Sequence, residues 1–336
     1  MINEKVSILT PCLNGEKFIN RYLDSILNQT YKNLELVFID DGSTDNTEKI
    51  VKSYIKKFNH SGMNLIYIKQ YENGGQAKAL NRGLKIFTGD YITWPDADDF
   101  LADDSIEKRV KFLQKHNEYG IVRTDVAVIN ESNINEVIMY FGKDNENKYK
   151  EDLFQDFIVE NKVWFAPGSY MIRTKDFIEV VPDRDIYEGR GGQNWQMLLP
   201  ILHKFKCGYI DEPLYNYVIR ENSHSHNING LEDLLKKSYE HEDILVNTIN
   251  RINMNKSEKT YYLELIEEKY IRKRMNLGYQ YKRKDLVKKN YKLLCKKYKI
   301  SRNEKIGYLN ENYILFNKLI SIGLSIKKHV KSFNLL

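Results

Sequence analysis

The sequence has few of the residues that mark disulfide-stabilised, collagen-like or linker-dominated proteins. It contains three cysteines, and none lies in a Cys-x-x-Cys spacing. Cys12, Cys207 and Cys295 are odd in number and far apart, which argues against a disulfide framework or a thiolate zinc site and fits a reducing compartment. Six prolines and 18 glycines among 336 residues exclude collagen and linker-dominated chains.

The chain also lacks the features of a targeting signal and of a membrane span. The first residues, MINEKVSILTPCLNG, show no basic stretch followed by a long apolar run, so no signal peptide is predicted. The longest apolar stretch near the end, residues 314–326, is interrupted by Asn317 and Lys318 and is too short and too polar to cross a bilayer. The sequence therefore predicts a soluble, cytoplasmic protein.

The charges are distributed unevenly along the chain. Residues 1–229 contain 28 Lys and Arg against 34 Asp and Glu, whereas residues 230–336 contain 24 against 12. With 42% hydrophobic and 29% charged residues, the overall composition is that of a globular protein. The length and the change of charge predict two parts with different partners, residues 1–229 and a basic region at 230–336.

The first hundred residues alternate between short β-prone runs and segments with apolar residues at helical spacing. The run at 34–39 is almost entirely apolar, as expected of a strand buried on both faces. Strands are predicted at 6–10, 34–39, 65–68 and 91–94, and helices at 18–27, 47–58 and 77–86. This alternation with short connections predicts a parallel α/β sheet with right-handed crossovers.

The later pattern is less regular and becomes helical after residue 230. The predicted elements are a helix at 105–115, a strand at 120–129, a loop or hairpin at 130–150, strands at 164–173 and 207–219 around a helix at 194–205, and helices at 231–252, 258–281, 285–298 and 313–331. The predicted fold class is therefore α/β, with a mostly parallel central sheet flanked by helices and a helical C-terminal extension.

Acidic and polar residues follow three of the predicted strands. These strands run into Thr10–Gly15, into Asp40–Asp45 and into Asp96–Asp99. In an open parallel sheet such positions meet at the edge where ligands bind. Packed carboxylates call for a cation, so Mg²⁺ or Mn²⁺ with the phosphates of a nucleotide is the expected ligand. Each motif alone is also typical of a turn with a helix N-cap, but their joint occurrence favours a site.

Four segments in order carry a resemblance to a known family. They are VSILTPCLN, LNQTYKNLELVFIDDGSTDNT, ENGGQAKALNRGL and GDYITWPDADDF. Together they resemble the successive motifs of the family-two glycosyltransferases of bacterial surface-glycan type, which have the GT-A fold. The resemblance is dense over residues 4–104 and thinner over 105–220. It implies a nucleotide-binding half at 1–104 and an acceptor-binding half at 105–229.

The resemblance implies a pocket for a sugar nucleotide. Its residues would be Thr10, Pro11, Asn14, Glu16, Asp40, Asp41, Lys78, Asn81 and Asp96. Asp40, with Asp41 adjacent, would accept a hydrogen bond from N3–H of uracil, so the implied donor substrate is a UDP-sugar. Where many members carry arginine this chain has Leu80, and a charge there must come from Lys78 or Arg82.

The resemblance also implies a divalent metal, Mn²⁺ or Mg²⁺, at the Asp-x-Asp motif. Asp98 would be the principal ligand, and Asp96 would lie near the ribose and the metal. Asp99 would either join the metal or lead into the next helix. His224 and His226 would complete the metal shell or belong to a polar surface loop.

The chain departs from the family pattern at the catalytic base. Inverting members usually carry a Glu-Asp pair at a helix start, whereas this chain has the amides Gln193 and Asn194, which take no proton at neutral pH. The candidate bases are Glu188, Asp185, Asp183, His224 and His226. Alternatively, a phosphate acceptor needs no base, or activity is weak or lost. Arg220 would meet a diphosphate or an acceptor phosphate. The run at 191–195 is interpreted as a sugar-binding surface with Trp195 as a stacking face, or else as an N-cap with Trp195 in the core.

The basic C-terminal region has three interpretations. Attraction to an anionic membrane surface fits an enzyme with a lipid-linked acceptor, and residues 315–333 form an amphipathic stretch. An ordinary solvated face is the second interpretation. Nucleic-acid binding is disfavoured, because no known module is present and the acidic N-terminal part would be repelled.

The sequence as a whole predicts a divalent-metal-dependent hexosyl- or N-acetylhexosaminyltransferase at the inner face of the plasma membrane. The enzyme would move a sugar from a UDP-sugar to a hydroxyl of a cell-surface glycan or of a lipid-linked oligosaccharide, with inversion. The alternatives are transfer to a polyprenyl phosphate without a protein base, and a sugar-nucleotide-binding or glycan-binding protein that has lost catalysis.

Overall fold

The structure is a computed structural model, and it describes residues 3–189, 191–220 and 230–312. The chain divides into two units. Unit 1 comprises Met1–Asn227 and Asp243–Lys259, and unit 2 comprises Ile228–Glu242 and Thr260–Leu336. The domain boundary placed at residue 229 from the sequence stays a prediction.

Unit 1 begins with alternating strands and helices, as the sequence predicts. The elements are β1 (Val6–Cys12), α1 (Ile19–Leu27), β2 (Leu34–Asp40), α2 (Thr47–His60), β3 (Asn64–Lys69), α3 (Gln76–Ile86) and β4 (Tyr91–Thr93). Every residue of β1 and of β2 is buried. Since successive side chains of a strand point to opposite faces, both faces of the sheet are covered at these two strands.

The second part of unit 1 adds long strands and short helices. The elements are β5 (Phe100–Leu101), α4 (Ser105–Lys115), β6 (Tyr119–Asn130), β7 (Asn133–Tyr140), α5 (Phe154–Val159), a 3₁₀ helix (Pro167–Ser169), β8 (Tyr170–Arg173), α6 (Thr174–Val180), α7 (Gln193–Lys204) and β9 (Lys206–Ile219). The strand predicted at 164–173 is limited to β8, because Pro167 begins the 3₁₀ turn and has no N–H to donate to a ladder. The segment at 130–150 contains the second strand of a hairpin, since β7 pairs with β6.

Within the described part of the chain, one sheet holds all nine strands, in the order β3-β2-β1-β4-β8-β6-β9-β5 with β7 attached to β6. The first four strands are parallel to one another, and β6 is parallel to β9. Antiparallel pairing is confined to β5, β7 and β8. The predicted α/β class, with a mostly parallel sheet and a helical C-terminal extension, is confirmed.

The C-terminal part of the described chain is helical. It contains α8 (Leu231–Arg251), α9 (Lys256–Gln280), α10 (Lys284–Lys297) and α11 (Arg302–Asn312). In unit 2, the side chains of Ile271, Met275, Val287 and Leu294 form a buried cluster. The helix predicted at 313–331 lies outside the described residues, and the sequence pattern does not predict α11. None of the helices described is both long enough and apolar enough to cross a membrane.

Candidate active site

The carboxyl ends of β1, β2 and β4 meet at one edge of the sheet, because β1 lies between the other two strands. A cavity of about 380 Å³ opens at this edge, and we call it the strand-edge cavity. Its wall includes Pro11, Phe18, Asp41, Asp96, Asp98 and Arg220. The volume is in the range of small-molecule sites.

Three carboxylates form a cluster on the loop after β4. One oxygen from each of Asp96, Asp98 and Asp99 lies within 4.8 Å of the others. Burial, and after it the charge of Asp98, raise the pKa of Asp96 well above its usual range, while Arg220 acts in the opposite direction. Carboxylate oxygens are the ligands that Mg²⁺ and Mn²⁺ prefer in proteins, and here several lie close together. The residues present therefore fit a divalent ion. Two further predicted metal ligands lie outside the described residues, His224 and His226.

Asp99 has different surroundings from the other two carboxylates. Its side chain is buried and accepts hydrogen bonds from the hydroxyl of Tyr215 at 2.6 Å and from the backbone N–H of Val218 at 2.8 Å. Burial is the main cause that raises the pKa of Asp99 well above its usual range. Asp99 therefore ties β9 to the loop that carries Asp96 and Asp98, and its own carboxylate oxygens are both occupied by these hydrogen bonds.

Arg220 directly follows β9 and lies on the wall of the strand-edge cavity. Its guanidinium group pairs with the carboxylate of Asp98 and lies 4.5 Å from the ring centroid of Phe18. Arg21, on α1, donates a hydrogen bond of 2.6 Å to the backbone oxygen of Asp98. The cavity thus carries a cation beside its carboxylates, and a planar guanidinium is suited to bind a phosphate group.

The neighbouring residues Asp40 and Asp41 have different roles. Asp40 is completely buried and accepts hydrogen bonds from a backbone N–H at 2.7 Å and from the hydroxyl of Tyr67 at 2.5 Å. Asp41 lies on the cavity wall, where it accepts hydrogen bonds of 2.9 Å from the backbone N–H groups of Gly74 and Gly75. The carboxylate at the cavity is therefore that of Asp41, which also holds the glycine turn before α3 in shape.

Four of the predicted nucleotide contacts lie at the end of β1 or just after it: Thr10, Pro11, Asn14 and Glu16. Among these described residues, only Pro11 lies on the cavity wall. Thr10 is completely buried, and its hydroxyl pairs with that of Tyr22. Asn14 Oδ1 and Glu16 Oε2 accept hydrogen bonds of 2.9 Å and 3.0 Å from backbone N–H groups of the loop after β2. Asn14 and Glu16 therefore fasten the loops after β1 and β2 to each other.

Two further predicted contacts, Lys78 and Asn81, lie on α3 and not on the strand-edge cavity. Lys78 is exposed and, with Lys69 and Arg82, lines a separate depression. Asn81 is buried, and its amide exchanges two hydrogen bonds of 2.8 Å with the backbone of Ile186. Asn81 therefore holds the segment that leads to α7.

Gln193 and Asn194 form the first turn of α7, after Gly192 at the N-cap with a φ of 68°. Asn194 Oδ1 accepts a hydrogen bond of 3.1 Å from the indole N–H of Trp94, two residues before Asp96. An indole nitrogen can only donate, so the amide nitrogen of Asn194 is the end of the side chain that points away from Trp94. The start of α7 is thereby joined to the loop that carries the carboxylates.

The interpretation of Trp195 as a sugar-stacking face is wrong. Trp195 is 5% exposed, and its indole N–H donates a hydrogen bond of 3.0 Å to the backbone oxygen of Phe157. Its ring also packs edge-on against Phe165, 5.2 Å between centroids. Trp195 lies in the core together with the apolar residues 197–202 of the same helix.

The candidate bases before α7 have different surroundings. Asp183 and Asp185 line a second cavity of about 400 Å³. The carboxylate of Asp185 lies 3.5 Å from the guanidinium of Arg251 and 3.7 Å from the ammonium of Lys85. Glu188 is exposed on the segment that enters α7. Asp185 is therefore engaged with cations at a separate cavity, whereas no cation of the described residues pairs with Glu188.

The sequence model of one protein family, described as glycosyl transferase family 2, matches residues 7–181, more than half of the chain. The chain belongs to this family. The matched region contains β1 to β4, the carboxylate cluster and Asp41, whereas Asn194 and Arg220 lie beyond its end. The family resemblance carried by the four motifs is thus confirmed.

Relatives of this family 2 chain occur among curated bacterial proteins. The glycosyltransferase GlyA of Streptococcus pneumoniae is 35% identical over 66% of the chain, but the match covers only 32% of GlyA. The protein EpsE of Bacillus subtilis is 30% identical over 65% of the chain and 74% of EpsE. The chain therefore spans about a third of one relative and about three quarters of the other.

Among solved structures, TarS 1–349 of S. aureus in complex with UDP-GlcNAc is similar to this family 2 chain with a TM-score of 0.60. The likeness covers 91% of this chain and 79% of that chain, at 21% sequence identity. At this identity the likeness establishes the fold, and the predicted GT-A fold is confirmed.

Sequence reasoning on the family 2 chain missed several groups at the strand-edge cavity. Phe18 and Tyr215 fit the helical and strand patterns and gave no separate signal. Asn73 and Gln76 flank the glycine turn and line the cavity, and the Asn-Gly-Gly spacing marks that turn in the sequence. The pairing of Arg220 with Asp98 had no local signal, because the two residues are 122 positions apart.

Proposed function

We propose that the chain transfers a sugar from a UDP-sugar to a hydroxyl of a cell-surface glycan or of a lipid-linked oligosaccharide at the inner face of the plasma membrane. The transferred sugar is a hexose or an N-acetylhexosamine, the anomeric carbon is inverted, and the reaction depends on a divalent metal. One observation carries the proposal: Asp96 and Asp98, Arg220 and the carboxylate of Asp41 share one cavity. The fold shared with TarS in complex with UDP-GlcNAc supports uracil as the base of the donor nucleotide.

In this proposal each group on the wall has a separate chemical task. Asp41 accepts the N3–H of uracil, and the glycine turn that it holds forms the side of the base pocket. Arg220 donates hydrogen bonds to the diphosphate. Asp96 and Asp98 hold Mn²⁺ or Mg²⁺, which when bound supplies a Lewis acid that stabilises charge on the UDP leaving group.

Glu188 is the base that we assign for a hydroxyl acceptor. Among the described residues, the carboxylates on the cavity wall are Asp41, Asp96 and Asp98, which already serve the nucleotide and the metal. Asp185 is engaged with cations at the second cavity. The amide nitrogen of Asn194 donates a hydrogen bond to the acceptor oxygen and so orients it.

A second candidate function is transfer to a phosphate monoester such as a polyprenyl phosphate. Such a group is already ionised near pH 7, so it attacks without a protein base. Asn194 at the start of α7 favours this candidate, because an amide donates hydrogen bonds to phosphate oxygens but removes no proton. The side chain of the neighbouring Gln193 is buried and takes no part in this argument. A chain that binds UDP but consumes no UDP-sugar would instead be a binding protein.

Calorimetric titration of the full chain with UDP tests the donor assignment. We expect UDP to bind at least about tenfold more tightly with Mn²⁺ than with a chelator, because the metal neutralises the diphosphate beside Asp96 and Asp98. Equal affinity in both conditions would contradict the metal assignment. No UDP binding in either condition would refute the donor assignment as a whole.

Exchanging Asp41 for asparagine is expected to weaken UDP binding by about tenfold to a hundredfold. Gly74 and Gly75 donate to different oxygens of Asp41, so the asparagine directs its N–H₂ at one of these two backbone N–H groups. The substitution also removes the charged acceptor for uracil, and a hydrogen bond to a charged group contributes about 1.5–3 kcal/mol. The measurement is the same UDP titration, with circular dichroism to check folding.

Asp40→Asn is the matched control for this substitution. Its amide can still accept the backbone hydrogen bond and can donate to the oxygen of Tyr67, so UDP affinity should stay near that of the unmodified chain. Loss of affinity in Asp40→Asn together with an unchanged Asp41→Asn would return the uracil contact to Asp40.

A further inference from the structure

A stripe of lysines runs along the exposed face of α10 in unit 2. Lys284, Lys288, Lys292 and Lys296 follow one another at intervals of four residues, and all four are exposed. With a rise of about 1.5 Å per residue, these four positions extend over about 18 Å of one helix face. The opposite face of α10, with Val287, Asn290 and Leu294, is buried. We call the four residues the lysine stripe.

The lysine stripe has no compensating acids in the described part of the chain. Of the charged residues near it, Lys297 pairs with Glu267, and Arg283 pairs with Asp285. None of the four stripe lysines forms an ion pair with a described residue. Like charges four residues apart in a helix repel each other, so an anionic partner would relieve a cost that the helix otherwise carries.

The surroundings of the lysine stripe favour a lipid surface over a nucleic acid. Leu293, beside Lys292 and close to Lys289, is 40% exposed, and an apolar side chain among lysines is suited to the headgroup boundary of a bilayer. The ring of Tyr291 is stacked on that of Tyr308, 3.8 Å between centroids, so it is not open for stacking on a base.

We infer that the lysine stripe is the surface by which the chain docks on an anionic membrane. The inference deepens the proposed function, since a lipid-linked acceptor would be met at such a surface, but docking itself requires neither UDP nor catalysis. Each lysine near an anionic leaflet contributes on the order of a fivefold factor to membrane partitioning, and salt screens this attraction over a length of about 8 Å at physiological ionic strength.

Sedimentation with lipid vesicles tests the docking surface on the full chain. The probes are vesicles of phosphatidylcholine alone and vesicles with equal parts of phosphatidylglycerol. We expect binding to the anionic vesicles only, weakening as salt is raised. The double substitution Lys288→Gln and Lys292→Gln should lower the partition coefficient about twentyfold, whereas Lys288→Arg with Lys292→Arg, which keeps the charge, should retain it.

The matched control is the pair Lys49→Gln and Lys56→Gln on α2. Both residues are exposed lysines of unit 1, so the control removes the same charge from another surface. An equal loss of vesicle binding in both glutamine pairs would show that only net charge matters and would overturn the inference. The inference would also be overturned if the chain did not bind anionic vesicles at low salt. The same holds if the stripe lysines were needed for binding duplex DNA while no vesicle binding was observed.

A fluorescent label on Cys295 provides a second readout. Cys295 lies on α10 and is exposed, whereas Cys12 and Cys207 are buried, so a thiol-reactive dye selects it. A blue shift of the dye with anionic vesicles is expected, and an unchanged spectrum in bound protein would overturn the assignment to α10. UDP titration of the lysine variants should be unchanged. Vesicle binding without UDP binding would reject the proposed function and leave the docking surface standing.

Discussion

Replacing Asp98 by asparagine is expected to lower turnover about a thousandfold and to abolish the effect of Mn²⁺ on UDP affinity. A thousandfold loss corresponds to about 4 kcal/mol, which is within the several kcal/mol that a metal contributes to charge stabilisation in the transition state. The largest effect is expected at Asp98, because its carboxylate belongs to the carboxylate cluster and also pairs with Arg220. The measurements are release of UDP from UDP-sugars and calorimetric titration with and without Mn²⁺.

The control for this substitution is Asp103→Asn. Asp103 is an exposed acid between β5 and α4, so its replacement changes the net charge equally without touching the cluster. Turnover and Mn²⁺ dependence should be unchanged in this control. If Asp98→Asn keeps the Mn²⁺ dependence of the unmodified chain while its urea unfolding curve is also unchanged, Asp98 is not a metal ligand and the cluster has a structural role only.

The elements of the fold that the sequence predicts well are those long enough to display a period. Helix α4 is predicted and found at the same residues, and β2 differs by one residue at its end. Among the missed elements, β5, α5 and α6 have two, six and seven residues, whereas α11 has eleven. The three short segments span no more than about two helical turns or one strand repeat, so their structure is fixed by tertiary packing and not by local pattern. Helix α11 is longer but contains few apolar residues, so no helical period marks it in the sequence.

The candidate site was predictable where it depends on residues next to strand ends. The Asp-x-Asp motif and the pair Asp40–Asp41 are local signals, and β-sheet geometry brings them together. The assignment of the uracil contact to Asp41 and not to Asp40 depends on which of the two carboxylates faces the glycine turn. Because successive side chains at a strand end point to opposite faces, only one of them can do so. The core position of Trp195, one of the two interpretations of the sequence, is favoured by the apolar run at 197–202 in α7.

The contacts that were not predictable join distant parts of the chain. Tyr215 reaches Asp99 across 116 positions, and Trp94 reaches Asn194 across 100. Each of these pairs forms because β9 or α7 packs beside the loop after β4, and a single sequence contains no record of that approach. The position of Tyr215 and Asn194 at the site is therefore determined by the topology of the fold. The position of the Asp-x-Asp motif and of Asp40–Asp41 is determined by local sequence.

Glu188→Gln is expected to lower turnover with a hydroxyl acceptor about a thousandfold while the KM for the UDP-sugar stays unchanged. General-base catalysis contributes about a hundredfold to ten thousandfold, and the glutamine amide cannot take the acceptor proton. The measurement is the rate of UDP release with a hydroxyl acceptor over a range of UDP-sugar concentrations, which gives turnover and KM separately.

Asp185→Asn is the matched control, because Asp185 is an acid of the same segment that is engaged with Arg251 and Lys85 at the second cavity. Its replacement should leave turnover within a few fold of the unmodified chain. Normal turnover in Glu188→Gln would remove Glu188 from the role of base and leave Asp183 as the remaining described candidate of this segment. If Asp183→Asn also kept normal turnover, a phosphate monoester acceptor would explain why the amide of Asn194 stands at the start of α7, since an acceptor that arrives ionised needs donors of hydrogen bonds and no base.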